Sequence, residues 1–316
     1  MNLSHKIKIT GAALILAVLV AGLIGGAYIQ GAFSSSLSAT NNQFSTASHF
    51  PNIYALRGNT TTNFYSNRIA PDAWNNETAT LATIGAGAAM ATDSSLFIYT
   101  LRGTNTQTFW RYNVSNDTWF ARANTGANIN DGGALVFQAG FVYASVGGTT
   151  GFRRYDANTD TWAARAAVPA TFGSGAGLAT DGAFIYATRG NNSTSFYRYS
   201  IAANTWATIA AVPGAVRQGG GLTRIGNFIY CLRGNNQTSF YRYSIATNTW
   251  ATMTAAPATV RFGGAISNDG ANIYALRGNT SVAAWRYTVG TNLWSSIANV
   301  PATVAAGGAL VYVPES

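Results

Sequence analysis

Residues 219–253 read GGGLTRIGNFIYCLRGNNQTSFYRYSIATNTWATM, and this stretch decides the fold class. It divides into four short segments rich in β-branched and aromatic residues, which are separated by turns of Gly, Asn and Thr. Short strands with turn signals every ~8–12 residues are typical of an all-β array. Four strands in one repeat of this length predict one blade of a β-propeller.

The same pattern recurs along the chain at a nearly constant period. A tyrosine stands seven residues before five of six regularly spaced tryptophans, and an Ile-Tyr or Val-Tyr pair lies farther upstream in every copy. The tryptophans are spaced 45, 43, 44, 44 and 44 residues apart: Trp74, Trp119, Trp162, Trp206, Trp250 and Trp294. Periods of roughly 20–50 residues indicate repeat architectures. Six copies therefore predict an all-β, six-bladed propeller.

The two ends of the repeat region complement each other. The first copy begins at the Ile53-Tyr54 strand and lacks a Gly-Gly strand of its own, whereas residues 307–312 form a Gly-Gly strand with no copy after it. A ring closed by this C-terminal strand, placed innermost in the first blade, leaves no exposed sheet edge at the junction. We therefore predict that residues 307–312 pair with the strand that contains Ile53 and Tyr54.

The repeat resembles the kelch repeat over roughly residues 51–313. The similarity rests on the glycine pair that opens the first strand, the Ile-Tyr strand that ends in Gly, and the aromatic-x-Tyr strand before the Trp. The diglycine that ends the second kelch strand is Arg-Gly in five copies and is kept only at Gly147-Gly148. The resemblance implies that the loops after the second strands and before the first strands share one face, near the axis.

The sequence argues against the common catalytic and metal-binding groups. Its only histidines, His5 and His49, precede the repeats, so a histidine-based zinc or copper site, including that of kelch-like oxidases, and a Ser-His-Asp arrangement are excluded there. Cys231, the single cysteine, occupies a column of small strand residues and is expected to be buried. Most aspartates lie in turns, where their side chains cap backbone N–H groups. We therefore predict no catalytic residue, no metal and no cofactor.

The N-terminus predicts a membrane segment. Residues 9–33 carry no charge and follow the basic residues Lys6 and Lys8, and about 20 apolar residues suffice to span a bilayer. We expect residues 1–33 to be a signal-anchor helix, with a cleaved signal peptide as the alternative and a pilin-like assembly helix as a third. The Ser/Thr/Asn-rich residues 34–50 are expected to form a tether to the propeller at 51–316. The propeller would then lie outside the cytoplasm, anchored by a single pass through the cell membrane or secreted.

The arginines are the candidate binding residues. After Lys8 the chain has 17 arginines, no lysine and 10 acids, and the arginines recur singly rather than in the clusters typical of a nucleic-acid binder, so no nucleic acid is expected. Those that precede the third-strand tyrosines are expected to stack on aromatic rings: Arg111, Arg154, Arg198, Arg242 and Arg286. The arginines of two further sets stand directly after the second strands or shortly before the first strands of the repeats. Together with asparagines of the adjoining loops they are predicted to form one cationic face, with seven of the ten acids on the opposite face. These binding candidates are Arg57, Arg102, Arg189, Arg217, Arg233, Arg261, Arg277, Asn191 and Asn235.

These features predict a non-catalytic binding or scaffold propeller displayed at the cell surface, which recognises an anionic glycan or protein partner. The alternatives are an enzyme that processes carbohydrate or peptide, and a structural subunit of a surface layer, filament or membrane complex. Asn-x-Ser/Thr sequons predict glycosylation in a host that performs it. They begin at Asn59, Asn76, Asn113, Asn116, Asn191, Asn192, Asn236 and Asn279.

Overall fold

The structure, a computed structural model, describes residues 37–39, 42–44 and 51–315. The chain divides into two compact units, residues 1–48 and 49–316. In the first unit, strands β1 (Leu37–Ala39) and β2 (Asn42–Phe44) pair antiparallel within the region predicted to be a tether. The predicted membrane segment, residues 1–33, and the remainder of residues 34–50 lie outside the described residues. Among the described residues there is no helix of the length and hydrophobicity that a membrane crossing requires.

Residues 51–315 form six antiparallel sheets of four strands, which are the six blades predicted from the tryptophan repeat. Blade 1 contains β26 (Ala309–Val313), β3 (Asn52–Leu56), β4 (Phe64–Arg68) and β5 (Ala73–Asn76). Blade 2 contains β6 (Ala89–Thr92), β7 (Phe97–Leu101), β8 (Phe109–Asn113) and β9 (Thr118–Ala121). Blade 3 contains β10 (Ala134–Gln138), β11 (Phe141–Ser145), β12 (Phe152–Asp156) and β13 (Thr161–Arg165). Blade 4 contains β14 (Gly177–Thr180), β15 (Phe184–Thr188), β16 (Phe196–Ser200) and β17 (Thr205–Ile209). Blade 5 contains β18 (Gly221–Ile225), β19 (Phe228–Leu232), β20 (Phe240–Ser244) and β21 (Thr249–Thr252). Blade 6 contains β22 (Ala265–Asn268), β23 (Asn272–Leu276), β24 (Ala284–Thr288) and β25 (Leu293–Ser296).

The first blade is assembled from both ends of the propeller. Strand β26 pairs antiparallel with β3, so that Val311 lies opposite Tyr54 and Tyr312 lies opposite Ile53. Strands β4 and β5 follow outward in the same sheet. The innermost strand of blade 1 is therefore β26, the most C-terminal of the described strands.

One repeated cluster of hydrogen bonds fastens each blade to the blade before it. In blade 4 the Trp206 indole donates to the Ala166 carbonyl of the blade 3 connection at 2.8 Å, and the Ala166 N–H donates to Asn204 Oδ1 at 3.0 Å. The Tyr199 hydroxyl donates to the same oxygen at 2.7 Å. Asn204 has a positive φ of 53°, which Asn and Asp adopt more readily than other side chains. The equivalent residues are Asp72, Asp117, Asp160, Asn204, Asn248 and Asn292.

The hydrophobic core lies between adjacent blades. Phe196 of blade 4 packs against Tyr243 and Trp250 of blade 5, with ring centroids 5.1 and 5.0 Å apart. The same interlocked rings recur at four of the five other seams, where aromatic pairs add to the free energy of burial, whereas the seam between blades 6 and 1 has Ala284 and Asn67 at these positions. Cys231 is fully buried in this core, and burial raises the pKa of its thiol to about 12, as expected of a structural residue.

The third-strand arginines stack on aromatic rings, as predicted, in four of the five blades that carry them. Their guanidinium carbons lie 4.0–4.5 Å from the ring centroids of phenylalanines on the second strands: Arg111 on Phe97, Arg154 on Phe141, Arg198 on Phe184 and Arg242 on Phe228. In blade 6 the matching second-strand position is Asn272, so Arg286 has no ring there. This set of arginines therefore packs the blades.

Candidate functional site

The strand order defines a loop face, the end of the propeller that carries the loops after the second strands and the connections that enter the first strands. All seven candidate arginines lie on it. Arg57, Arg102, Arg189, Arg233 and Arg277 begin the loops, whereas Arg217 and Arg261 lie in the connections that enter blades 5 and 6. Asn191 and Asn235 sit at loop tips with positive φ, and the Asn235 side-chain amide donates to Asn192 Oδ1 at 3.1 Å.

The five loop arginines hold the protein's own backbone. Each donates from Nε to a carbonyl of the connection that enters its own blade, at 3.0–3.3 Å. The pairs are Arg57 with Thr303, Arg102 with Thr83, Arg189 with Thr171, Arg233 with Ala215, and Arg277 with Thr259. These five side chains are half-buried. These arginines therefore hold the connections in place through their Nε–H groups.

Blade 3 lacks this arginine and obtains the brace from another strand. Val146 occupies the column, and Arg153 of β12 donates from Nη2 to the Gly126 carbonyl at 3.0 Å. Gly126 belongs to the connection that enters blade 3. A side chain at Gly126 would meet the Arg153 guanidinium, so glycine leaves the room that this contact needs. Arg153 thus supplies, from the third strand, the hydrogen bond that a loop arginine supplies in the other five blades.

Arg217 and Arg261 differ from the other five. Both side chains are exposed, and the Arg261 guanidinium lies 4.9 Å from the centroid of the neighbouring Phe262 ring. Neither guanidinium has a hydrogen-bond or ion-pair partner among residues 51–315, where the one ion pair is Arg122–Asp160. These two cations on adjacent blades are therefore available to a ligand.

The connections lead into an axial cavity of about 150 Å³ that opens on the loop face. Its floor is a ring of largely buried aliphatic side chains: Met90, Leu135, Leu178, Leu222, Ile266 and Leu310. Its wall consists of glycine and alanine residues. One residue per blade lines its mouth: Ala86, Asp131, Ser174, Gln218, Phe262 and Ala306.

The mouth is asymmetric. Blades 1 and 2 contribute only alanine, blade 3 contributes the half-buried carboxylate of Asp131, and blades 5 and 6 contribute Gln218 and Phe262, which follow Arg217 and Arg261. Sequence analysis did not identify Asp131, Gln218 or Phe262. The available signal is the repeat position just before the Gly-Gly or Gly-Ala pair that leads into each first strand, because its residue type varies between copies although the neighbouring positions repeat.

Two carboxyl groups do approach each other, but at the seam between blades 1 and 2. The Tyr112 hydroxyl lies 3.1 Å from Glu77 Oε2 and 2.7 Å from Asp117 Oδ1. Ser66 donates to the other Glu77 oxygen, and Thr78 donates to both oxygens of Asp117. Burial raises the pKa of Glu77, and the Asp117 charge adds to this effect. Neither residue lines the axial cavity.

The described residues contain no group of three or more His, Cys, Asp and Glu side chains that could hold a metal ion. Asp131 is the one carboxylate at the cavity mouth. Asp181 and Asp269 each accept from turn N–H groups and from a tyrosine hydroxyl in their own blade. The groups around the axis that can bind a ligand are therefore the arginine guanidiniums, the side-chain amide of Gln218 and the backbone.

The architecture has a counterpart among solved structures. The structure of YjhT superimposes with a TM-score of 0.60 at 12% sequence identity, covering 72% of this chain and 88% of that chain. At this identity the similarity concerns the fold. No protein-family model and no curated protein matches the chain.

Proposed function

We propose that the chain is a kelch-like binding propeller, displayed outside the cytoplasm by its N-terminal segment, whose loop face captures an anionic group of a glycan or protein at the mouth of the axial cavity. The observation that carries this proposal is the pair of exposed guanidiniums of Arg217 and Arg261 beside that mouth, which have no hydrogen-bond or ion-pair partner among residues 51–315. Arginine presents a planar fork of donors that fits a carboxylate or a sulfate in a bidentate manner.

The neighbouring groups favour a binding role. Gln218 and Ser174 offer an amide and a hydroxyl at the same mouth, and Phe262 offers a ring face. Catalysis by paired acids needs two carboxyl groups around one bond. The mouth carries a single carboxylate, Asp131, and residues 51–315 contain no histidine. These features support a non-catalytic module.

The double variant Arg217→Ala/Arg261→Ala tests the proposal. We expect it to weaken capture of polygalacturonate and dextran sulfate by at least about tenfold, because the two cations supply the charge-assisted hydrogen bonds. Binding is measured by biolayer interferometry on the full-length chain, with uncharged dextran as the reference polymer. Added salt should weaken the wild-type interaction, since both guanidiniums are exposed.

The matched control is Arg165→Ala/Arg224→Ala, which also removes two positive charges, but from positions outside the mouth. Arg165 ends the outer strand β13, and Arg224 lies on β18 close to its turn at the opposite face. This control should bind the acidic polymers like the wild type. Equal loss of binding in both double variants would show that only the net charge matters, and the proposed site would be wrong.

A further inference from the structure

A ring of backbone turns surrounds the mouth of the axial cavity. In every blade a tight turn of four residues precedes the first strand, and the N–H of its fourth residue donates to the carbonyl of its first at 2.8–3.1 Å, as Gly220 donates to Arg217 in blade 5. The third residue of each turn is a glycine with a φ of 80–97°, as a type II turn requires. These glycines are Gly87, Gly132, Gly175, Gly219, Gly263 and Gly307. A Cβ at Gly175 would also collide with the Arg217 carbonyl oxygen of the next blade.

The direction of the glycine N–H groups follows from the planarity of the peptide bond. In blade 5 the Gln218 carbonyl accepts from the Asn235 N–H at 2.9 Å, and Asn235 lies in the loop outside the first strand. The N–H of the same trans peptide belongs to Gly219 and points the opposite way, toward the axis. The same bond, at 2.8–2.9 Å, orients four more turns. The accepting carbonyls in these four belong to Ala86, Ser174, Phe262 and Ala306.

At least five backbone N–H groups therefore converge on the cavity. Within residues 51–315 none of the six glycine N–H groups has a hydrogen-bond partner. Backbone N–H groups in folded proteins are rarely left without an acceptor. Concave arrays of such groups are binding sites for anions, because their partial positive charges add at one point.

We propose that this ring of glycine N–H groups is an anion site, which holds a single small oxyanionic group, a carboxylate or a sulfate, on the propeller axis. The inference rests on the proposed function for the nature of the ligand, and it adds that the ligand enters end-on. A cavity of about 150 Å³ with an aliphatic floor accommodates one terminal group rather than a polymer lying across the face. Arg217 and Arg261 then hold the next part of the ligand at the rim.

Asp131 makes the proposal specific. Its carboxylate lines the same mouth and has no ion-pair partner within residues 51–315, so it opposes an anion on the axis. Replacing it with asparagine keeps the shape and removes the repulsion. Asp131→Asn should therefore tighten sulfate binding by about three- to fivefold.

The direct test is a crystal of the full-length chain soaked in bromide, in which anomalous scattering locates the ion. We expect a bromide on the axis within hydrogen-bond distance of the glycine nitrogens, and displacement of this bromide by sulfate or acetate. Rubidium is soaked in parallel. Water alone in the ring, or a rubidium ion beside Asp131, would overturn the proposal.

A pair of variants separates charge from shape. Ala306→Asp and Ala306→Asn place side chains of equal size at the mouth, where the equivalent residues of other blades are already Asp131, Gln218 and Phe262. The Asp variant should weaken sulfate binding, measured by calorimetry, by at least about tenfold, because a like charge then faces the site. The Asn variant should lose much less. Equal losses in the two variants would mean that the mouth is merely blocked, and would contradict an anion site.

The two proposals fail separately. If bromide occupies the ring but Arg217→Ala/Arg261→Ala captures acidic polymers like the wild type, the anion site stands and the proposed function is wrong. If the polymers bind through the two arginines but no anion enters the ring, the end-on inference is wrong.

Discussion

The bonding of individual nitrogen atoms distinguishes two kinds of arginine on the loop face. Arg189 and Arg233 donate from Nε to backbone carbonyls and are half-buried, whereas Arg217 and Arg261 are exposed and have no hydrogen-bond or ion-pair partner among residues 51–315. A guanidinium that satisfies a carbonyl of a connection stabilises the fold. Because Arg153 takes the place of the missing loop arginine in blade 3, the connection that enters each of the six blades accepts a hydrogen bond from an arginine side chain.

The first prediction at this scale concerns the bracing arginines. Arg189→Ala/Arg233→Ala should lower the free energy of unfolding by about 1–3 kcal/mol, the net value of two hydrogen bonds, while dextran sulfate binding persists. Urea unfolding followed by tryptophan fluorescence measures the loss. Arg189→Lys/Arg233→Lys is the control, because lysine keeps the charge and lacks Nε. Full rescue by lysine would contradict a role for the Nε bonds.

A second prediction concerns Glu77. The Tyr112 hydroxyl has one proton for two carboxylates, and burial raises the Glu77 pKa above its ordinary value of 4.5. The folded protein therefore binds a proton at the Glu77 carboxyl more tightly than the unfolded chain does. Its stability falls as the pH rises from 4.5 through the raised pKa of Glu77. In Glu77→Gln the amide can donate to the Tyr112 oxygen while Tyr112 donates to Asp117.

Glu77→Gln should accordingly raise the Tm by roughly 2 °C above this pH window, and its advantage should vanish in acid, where the wild type is also uncharged at this position. Calorimetric scans of both proteins across the pH range provide the measurement. Ser66→Ala in the same scans reports how much of the effect belongs to the hydrogen bond to Glu77. An advantage that does not change with pH would show that the Glu77 charge is not responsible.

At the scale of elements, the sequence predicts most of what is local and little of what joins distant segments. Four strands per repeat follow from turn residues and aromatic spacing, because both act within a few residues. The tryptophan spacing is equally visible, but the carbonyl that accepts from the Trp206 indole belongs to Ala166, 40 residues earlier and directly after the last strand of blade 3. Arg153 could not be recognised as the substitute for the missing brace, because its contact with Gly126 exists only after β12 and the connection have folded together.

The candidate site illustrates the same limit. All seven candidate arginines lie on the loop face, yet five of them are bonded to backbone, which residue type and column position do not reveal. Asp131 was not identified because a repeat position that holds five different residue types in six copies resembles ordinary surface variation. The anion ring consists of backbone groups, and its glycines are apparent in sequence only as the repeated Gly-Gly, or small-residue, opening of the first strand.

At the scale of the whole molecule, the C-terminal strand β26 contributes to both interfaces of blade 1, with blade 2 and with blade 6. Val311 and Val313 of β26 belong to the core cluster between blades 1 and 2, whereas Leu310 belongs to the cluster that also contains Tyr274 and Leu276 of blade 6. The strand also completes the sheet of blade 1 by pairing with β3. Losing β26 would therefore open two interfaces and expose a sheet edge.

A truncation measures how far the ring depends on this strand. Deleting residues 309–316 should remove the cooperative unfolding transition or lower its midpoint far below that of the wild type, because buried aliphatic side chains typically contribute about 2–5 kcal/mol each. Deleting only residues 314–316 is the control, since it leaves β26 whole and should not change the midpoint. A synthetic peptide of residues 306–316, added to the longer truncation, should restore the transition by pairing with β3. Because the peptide supplies the strand without the covalent link, rescue would assign the stability to pairing and burial. An unchanged midpoint in the longer truncation would mean that the six blades hold together without closure.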